Sequence, residues 1–339
     1  MNKRIRTIFT YLFFLGLGIF LVWWSIKDLT ADDKSQIKAA LKTARYWLVL
    51  PVFIMLFGSH LVRALRWKLL IEPMGYKPST ANTFFAVMIG YLANQAVPRL
   101  GEVLKCTVLA RYEKVPADKL IGTIILERVI DAVCLLTVFG ITLAIQPDIY
   151  AQLIDTIFNS SAKNGETKHI PKYIIGLALL GLLALIIASW MIRKKKNFSD
   201  LWMVFKKIGS SIWQGLSAIQ HLKRRGYFIT LTLILWTLYL TAGYIGFFAL
   251  QQTTGYGFRE AFTVLSAGSI GMIATPGGIG AYAYLIQKTM QVYGLNEGIA
   301  LAFGWILWLA QTTVILLGGL VSFAAIPYFN KHKKHSETA

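Results

Sequence analysis

The chain is 339 residues long, with 55% apolar residues and only 15% charged, against ~25% charged in soluble domains. Lys and Arg outnumber Asp and Glu by 35 to 16, giving a formal charge of +19. This composition excludes a soluble enzyme and requires a bilayer. No stretch between apolar segments is long enough for a separate catalytic domain of about 100 residues.

In chain order, Lys3, Arg4 and Arg6 precede an apolar run at 7–26. The start resembles a signal peptide, but no small-x-small cleavage site follows, so an uncleaved first span is expected. Residues 28–44 place Asp28, Asp32 and Asp33 ahead of Lys38 and Lys42, a charge order that suits a short amphipathic helix and its dipole. Further segments long enough to cross hydrocarbon, roughly 20 residues each, fall at 46–65, 121–145, 173–192, 227–250 and 299–326. The stretch 193–226 carries Trp202, Phe205, Ile208, Trp213 and Leu216 between lysines, a pattern for a helix lying on the inner leaflet.

Two shorter apolar segments, 83–102 and 261–280, are interrupted. Set side by side, they align Phe84, Gly90, Ala96 and Pro98 with Phe262, Gly268, Ala274 and Pro276. Paired Pro/Gly interruptions in two halves of a membrane protein point to a transporter-type site near the bilayer midplane. The fold class expected is therefore an all-α integral membrane protein. It would have about six full spans and two re-entrant segments related as an inverted repeat. Residues 1–330 read as one polytopic domain and 331–339 as a basic cytoplasmic tail. Independent loops that merely pack against helices are the plainer reading of the same glycines.

The positive-inside rule places 24 Lys and Arg on the cytoplasmic face and 10 on the other. Both termini are then cytoplasmic, and the two interrupted segments enter from opposite sides. The basic residues serve as anchors for anionic lipids, and nucleic acid is not an expected partner. Cys106 and Cys134 read as small apolar fillers, and five scattered histidines show no metal-ligand spacing. No cofactor is expected, and no phosphate-binding loop for ATP is present.

Ionisable groups inside hydrocarbon cost on the order of 2.5–3.5 kcal/mol each on insertion scales, so their presence needs a reason. Glu127, Arg128 and Asp131 lie early in the third full segment, with the two carboxylates four residues apart on one helix face. A partner cation can come from Arg99 or Lys105 beside the first break, or from Arg63 and Arg66. The first break holds Asn94, Pro98, Arg99, Gly101 and Glu102; the guanidinium suits a phosphate, and a helix starting near Gly101 offers free N–H groups. The second break holds Pro276, Gly277, Gly278 and Gly280, which supply backbone without charge. A purely structural ion network at the inner interface remains open as an alternative.

These motifs, R-A-L-R-W-K-L-L, I-G-Y-L-A-N-Q-A-V-P-R-L-G-E-V-L-K, L-E-R-V-I-D and T-P-G-G-I-G, resemble the lysylphosphatidylglycerol synthase transmembrane-region family. The likeness runs from about Arg63 to Ile326. It implies a bacterial inner-membrane protein that moves lipids or lipid-linked amphiphiles between leaflets. It also implies that the functional residues are Asn94, Pro98, Arg99, Gly101 and Glu102 in the second of these motifs, Glu127, Arg128 and Asp131 in the third, and Pro276, Gly277, Gly278 and Gly280 in the fourth. Many members continue the glycine motif with a Glu three residues on; here Ala283 stands instead. The family's aminoacyl-transfer activity resides in a following soluble domain, which is not expected in this chain. A lipid transporter, not an enzyme, is thus the leading expectation, with a phospholipid or lipid-linked substrate and a possible homo-oligomer. A membrane-embedded transferase, a scaffold and a channel are the alternatives.

Overall fold

The computed structural model describes residues 3–27, 29–97, 99–159 and 222–337. These form eleven α-helices and no strands. In chain order they are α1 (Lys3–Ile26), α2 (Ala31–Lys42), α3 (Val49–Ile71), α4 (Thr80–Ala96), α5 (Leu100–Glu113) and α6 (Ala117–Ile145). There follow α7 (Ile149–Asn159), α8 (Arg225–Gly246), α9 (Phe258–Ala274), α10 (Ala281–Val292) and α11 (Glu297–Glu337). Four helical stretches among the described residues are long and apolar enough to cross a membrane: Tyr46–Met74, Ala117–Ile145, Arg225–Ala249 and Glu297–Lys331. They match four of the six expected full segments, and α1 covers a fifth. The expected span at 173–192 and nearly all of the interfacial stretch 193–226 lie outside the described residues, as does Pro98.

Local chemistry sets the helix ends. The Thr30 hydroxyl accepts from the Asp33 N–H at 3.1 Å while the Asp33 carboxylate accepts from the Thr30 N–H at 2.9 Å, a capping box that starts α2. Ser79 caps α4 by accepting from the Asn82 N–H at 3.2 Å. The Glu260 carboxylate reaches back to the Gly257 N–H at 2.7 Å and starts α9. Proline disfavours helical geometry in the residue before it. Accordingly Val97, ahead of Pro98, is extended (φ −136°, ψ 118°) and ends α4. Thr275, ahead of Pro276, is extended in the same way (φ −133°, ψ 157°) and ends α9. The two interrupted helices are 17 residues each and end at aligned positions, Ala96 and Ala274.

The helices assemble as two similar units. In the first, α3, α4, α5 and α6 pack in sequence, with α4 folded back on α5. In the second, α8, α9, α10 and α11 do the same, with α9 folded back on α10. Each unit has its own apolar core. Trp67, Val87, Leu109 and Leu120 anchor the first, and Phe247, Val264, Ile286 and Phe303 the second. Glycines let both hairpins close. A Cβ on Gly90 would lie 2.9 Å from the Gly101 carbonyl oxygen, and one on Gly271 would lie 2.6 Å from the Tyr282 Cα.

Three helix pairs carry most of the packing between the units. Helices α3 and α8 run antiparallel: the Arg45 N–H just ahead of α3 donates to the Ala249 carbonyl just after α8 at 2.9 Å. Near their other ends the Arg66 guanidinium lies 5.8 Å from the Phe228 ring. Helix α4 packs antiparallel to α11, with Asn82 and Asn330 exchanging side-chain hydrogen bonds of 2.9 and 2.7 Å. Reciprocally, α9 packs antiparallel to α6, where the Gln146 amide donates to the Arg259 carbonyl at 2.8 Å and Thr142 meets Ser266 at 3.3 Å.

Candidate functional site

Arg63 and Arg66 are one helical turn apart on α3, and Glu127 and Asp131 one turn apart on α6, so each pair shares a face. The faces meet. Arg63 Nη1 lies 2.9 Å from Glu127 and 2.6 Å from Asp131, and Arg66 Nη2 pairs with Asp131 and sits 3.6 Å from Glu127. From α5, the Lys105 ammonium donates to the second oxygen of Glu127 at 2.9 Å and rests 4.6 Å from the Trp67 ring centre. From α8, the Tyr239 hydroxyl accepts from Arg63 at 3.1 Å. Arg66 is fully buried and Glu127 only 2% exposed, so these charges are removed from both water and lipid. Asp131 stands fourteen residues from either end of α6. The helix begins four residues ahead of the expected apolar run, so the cluster, early in that run, comes to lie near the middle of α6.

Of the cations offered by the sequence, the fold uses Arg63, Arg66 and Lys105 and leaves out Arg99. Arg99 is exposed, and forms the start of α5 with a left-handed backbone (φ 66°). Arg128, turned away from the cluster, pairs with Glu102 of α5 at 2.7 Å on a more open face, where Arg128 is about half exposed. Asn94 closes the first hairpin by accepting from the Gly101 N–H at 2.8 Å. A Cβ on Gly101 would collide with the Gly90 carbonyl and come within 2.6 Å of Asn94.

The second break meets the first. Gly277 (φ 59°) lies directly against the Gln95 side-chain oxygen, leaving no room for a Cβ, and its carbonyl accepts from the Trp308 indole at 2.8 Å. Pro276 and Gly278 are buried, and Gly280 (φ 72°) packs on the Gly18 carbonyl of α1. Ala283 is 1% exposed, and a Cβ on Gly304 of α11 would lie 3.0 Å from its Cα. The backbone at Ala283, where the motif departs, is thus packed closely against α11. Lys105, Gln95, Tyr239 and Trp308 complete the arrangement. Gln95 and Lys105 stood out as polar residues near the first break, whereas Tyr239 and Trp308 look like ordinary aromatic residues of apolar spans. No group of three or more His, Cys, Asp or Glu side chains among the described residues is placed to hold a metal.

A helical membrane protein with a buried ion cluster beside two meeting helix breaks is the class that this geometry defines. The family model described as the lysylphosphatidylglycerol synthase transmembrane region matches residues 11–319, and the chain belongs to that family. The match begins well ahead of the motifs from Arg63 onward and takes in most of α1. It concerns the membrane region alone, and no catalytic domain is detected in the chain. A UPF0104 membrane protein of Methanocaldococcus jannaschii is 29% identical over 98 residues, which cover 28% of this chain and 29% of that protein. No solved structure matches the chain.

Proposed function

We propose that the protein moves a phospholipid or lipid-linked amphiphile between the leaflets of a bacterial inner membrane. The anionic headgroup is handled beside the two helix breaks. In this reading α4–α5 and α9–α10 are re-entrant hairpins that enter from opposite faces, and the two units form an inverted repeat within six full spans. One observation carries it: the breaks, far apart in sequence and in different units, meet where the Gln95 side chain lies against Gly277, and Lys105 of the buried ion cluster follows the first break on α5. The antiparallel course of α3 and α8 supports inversion, because it relates the units by an axis across the helices. Charge asymmetry puts both termini in the cytoplasm, with anionic lipids as neighbours there.

The test is transbilayer movement of fluorescent phospholipids in vesicles containing the purified protein. Wild-type protein is expected to accelerate movement over protein-free vesicles, and Arg63→Ala to lose that acceleration. No acceleration with any of several headgroups would sink the proposal. Chemical conversion of the lipid in place of movement would point to the transferase alternative.

A further inference from the structure

We infer that the buried cluster is matched to a phosphodiester headgroup of net charge −1, and not to one whose ammonium cancels that charge or to a diphosphate. This rests on the proposed handling of an amphiphile at that site, and deepens it. The argument is a charge count. Three cations, Arg63, Arg66 and Lys105, face two carboxylates, Glu127 and Asp131, among the described residues. The neighbouring Arg128–Glu102 pair is balanced. One positive charge is therefore left over in a place where Arg66, Glu127 and Lys105 are 0%, 2% and 7% exposed. An uncompensated charge in such a setting is strongly unfavourable, and one singly charged anion removes the excess.

The donor inventory agrees with the count. Arg63 Nε and Arg66 Nε and Nη1 are buried and have no hydrogen-bond partner among the described residues. Both nitrogens of His60, one turn before Arg63 and 4.9 Å from the Tyr91 ring, are likewise unpartnered. Buried donors are rarely left unmatched. The two free oxygens of a phosphodiester can accept from several donors at once, which suits guanidinium groups better than a single acceptor atom would. A second anionic charge would exceed the surplus, and a quaternary ammonium would be placed among three cations. The counterpart of Lys105 in the second unit, by the alignment of the two breaks, is the apolar Ala283, so the second unit has no cation at that position.

The experiment measures binding separately from transport. Full-length protein in detergent is titrated with short-chain phosphatidylglycerol, phosphatidylcholine, an isoprenyl diphosphate, and soluble glycerophosphoglycerol, with affinity read by native mass spectrometry. Phosphatidylglycerol should bind about tenfold or more tightly than the other lipids, and tighter than glycerophosphoglycerol, which lacks acyl chains. Lys105→Gln removes the surplus and should erase the preference, whereas Lys105→Arg should retain it. Asp131→Asn adds a second positive charge and should shift preference toward the diphosphate, which tests the same count if Lys105→Gln does not fold. Equal binding of all three lipids, tightest binding of glycerophosphoglycerol, or an unchanged preference in Lys105→Gln or Asp131→Asn, would overturn the inference. Lipid movement without headgroup preference would remove this inference and leave the proposed function standing. Selective binding without movement would do the reverse.

Discussion

At the scale of single residues, the ion cluster makes a sharp stability prediction. Glu127 accepts from Lys105 and Arg63 at 2.9 Å each. Glu127→Gln leaves three buried cations facing one carboxylate and should cost about 3–5 kcal/mol, as breaking a buried pair does. Adding Lys105→Gln should recover part of that loss. A double-mutant cycle on thermal stability measures the coupling, and strict additivity would mean that the two side chains do not interact. Arg99 behaves differently. Its left-handed backbone costs a non-glycine residue roughly 1–2 kcal/mol, and its exposed side chain takes no part in the cluster. Arg99→Gly is therefore expected to keep or raise the melting temperature, and it lowers lipid movement only if the exposed guanidinium meets the headgroup outside the cluster. Full retention of movement would exclude Arg99 from the pathway. The carboxylates were legible in sequence because ionisable groups in an apolar run stand out. The candidate cations were legible too, but not which of them pair, nor Tyr239: Arg63 and Glu127 are 64 residues apart, and Arg63 and Tyr239 are 176 apart, and no helical periodicity reports such distances.

At the scale of the element, the hairpins depend on glycine for contact, not for flexibility. Gly101 sits inside α5 with the Gly90 carbonyl where its side chain would be. Gly101→Ala should destabilise the protein by about 1–3 kcal/mol through overpacking. Gly140, within α6, has nothing within 4 Å of its Cβ position, so Gly140→Ala should leave the melting temperature unchanged or raise it, given the helix propensity of alanine. Equal effects of the two substitutions in a thermal unfolding assay would contradict the close hairpin packing. Sequence alone located both breaks, because Pro98 and Pro276 force the preceding residue out of the helix. It could not distinguish glycines that seat a neighbouring helix, such as Gly90, from those that face open space, such as Gly140, since that distinction depends on what packs alongside.

At the scale of the whole molecule, the proposed arrangement has a definite sidedness. Ser35 in α2 and Ala117 at the start of α6 are both exposed, and in the orientation proposed from charge asymmetry Ser35 lies outside and Ala117 in the cytoplasm. Cysteines introduced at these positions should react with an impermeant maleimide in intact cells only at position 35. Labelling at 117 alone would reverse the orientation, and labelling at both would contradict a fixed topology. Five apolar segments were read in sequence with starts close to those of the helices, because hydrocarbon thickness demands long apolar runs; the ends of α3 and α11 run past the expected 65 and 326 to Ile71 and Glu337, where helix continues into polar residues. The pairing of α4 with α11 and of α6 with α9 was not read in sequence, since antiparallel neighbours drawn from different units share no local pattern.

The packing of Ala283 against Gly304 bears on redesign. The first unit presents its charged face through Lys105, a side chain that can be exchanged for others of similar length. In the second unit the corresponding position is walled off by α11, whose backbone stands at the distance of a methyl group. Under the proposed function, headgroup preference is open to single substitutions in one half of the protein. In the other half any such graft must begin by shifting a helix of 41 residues.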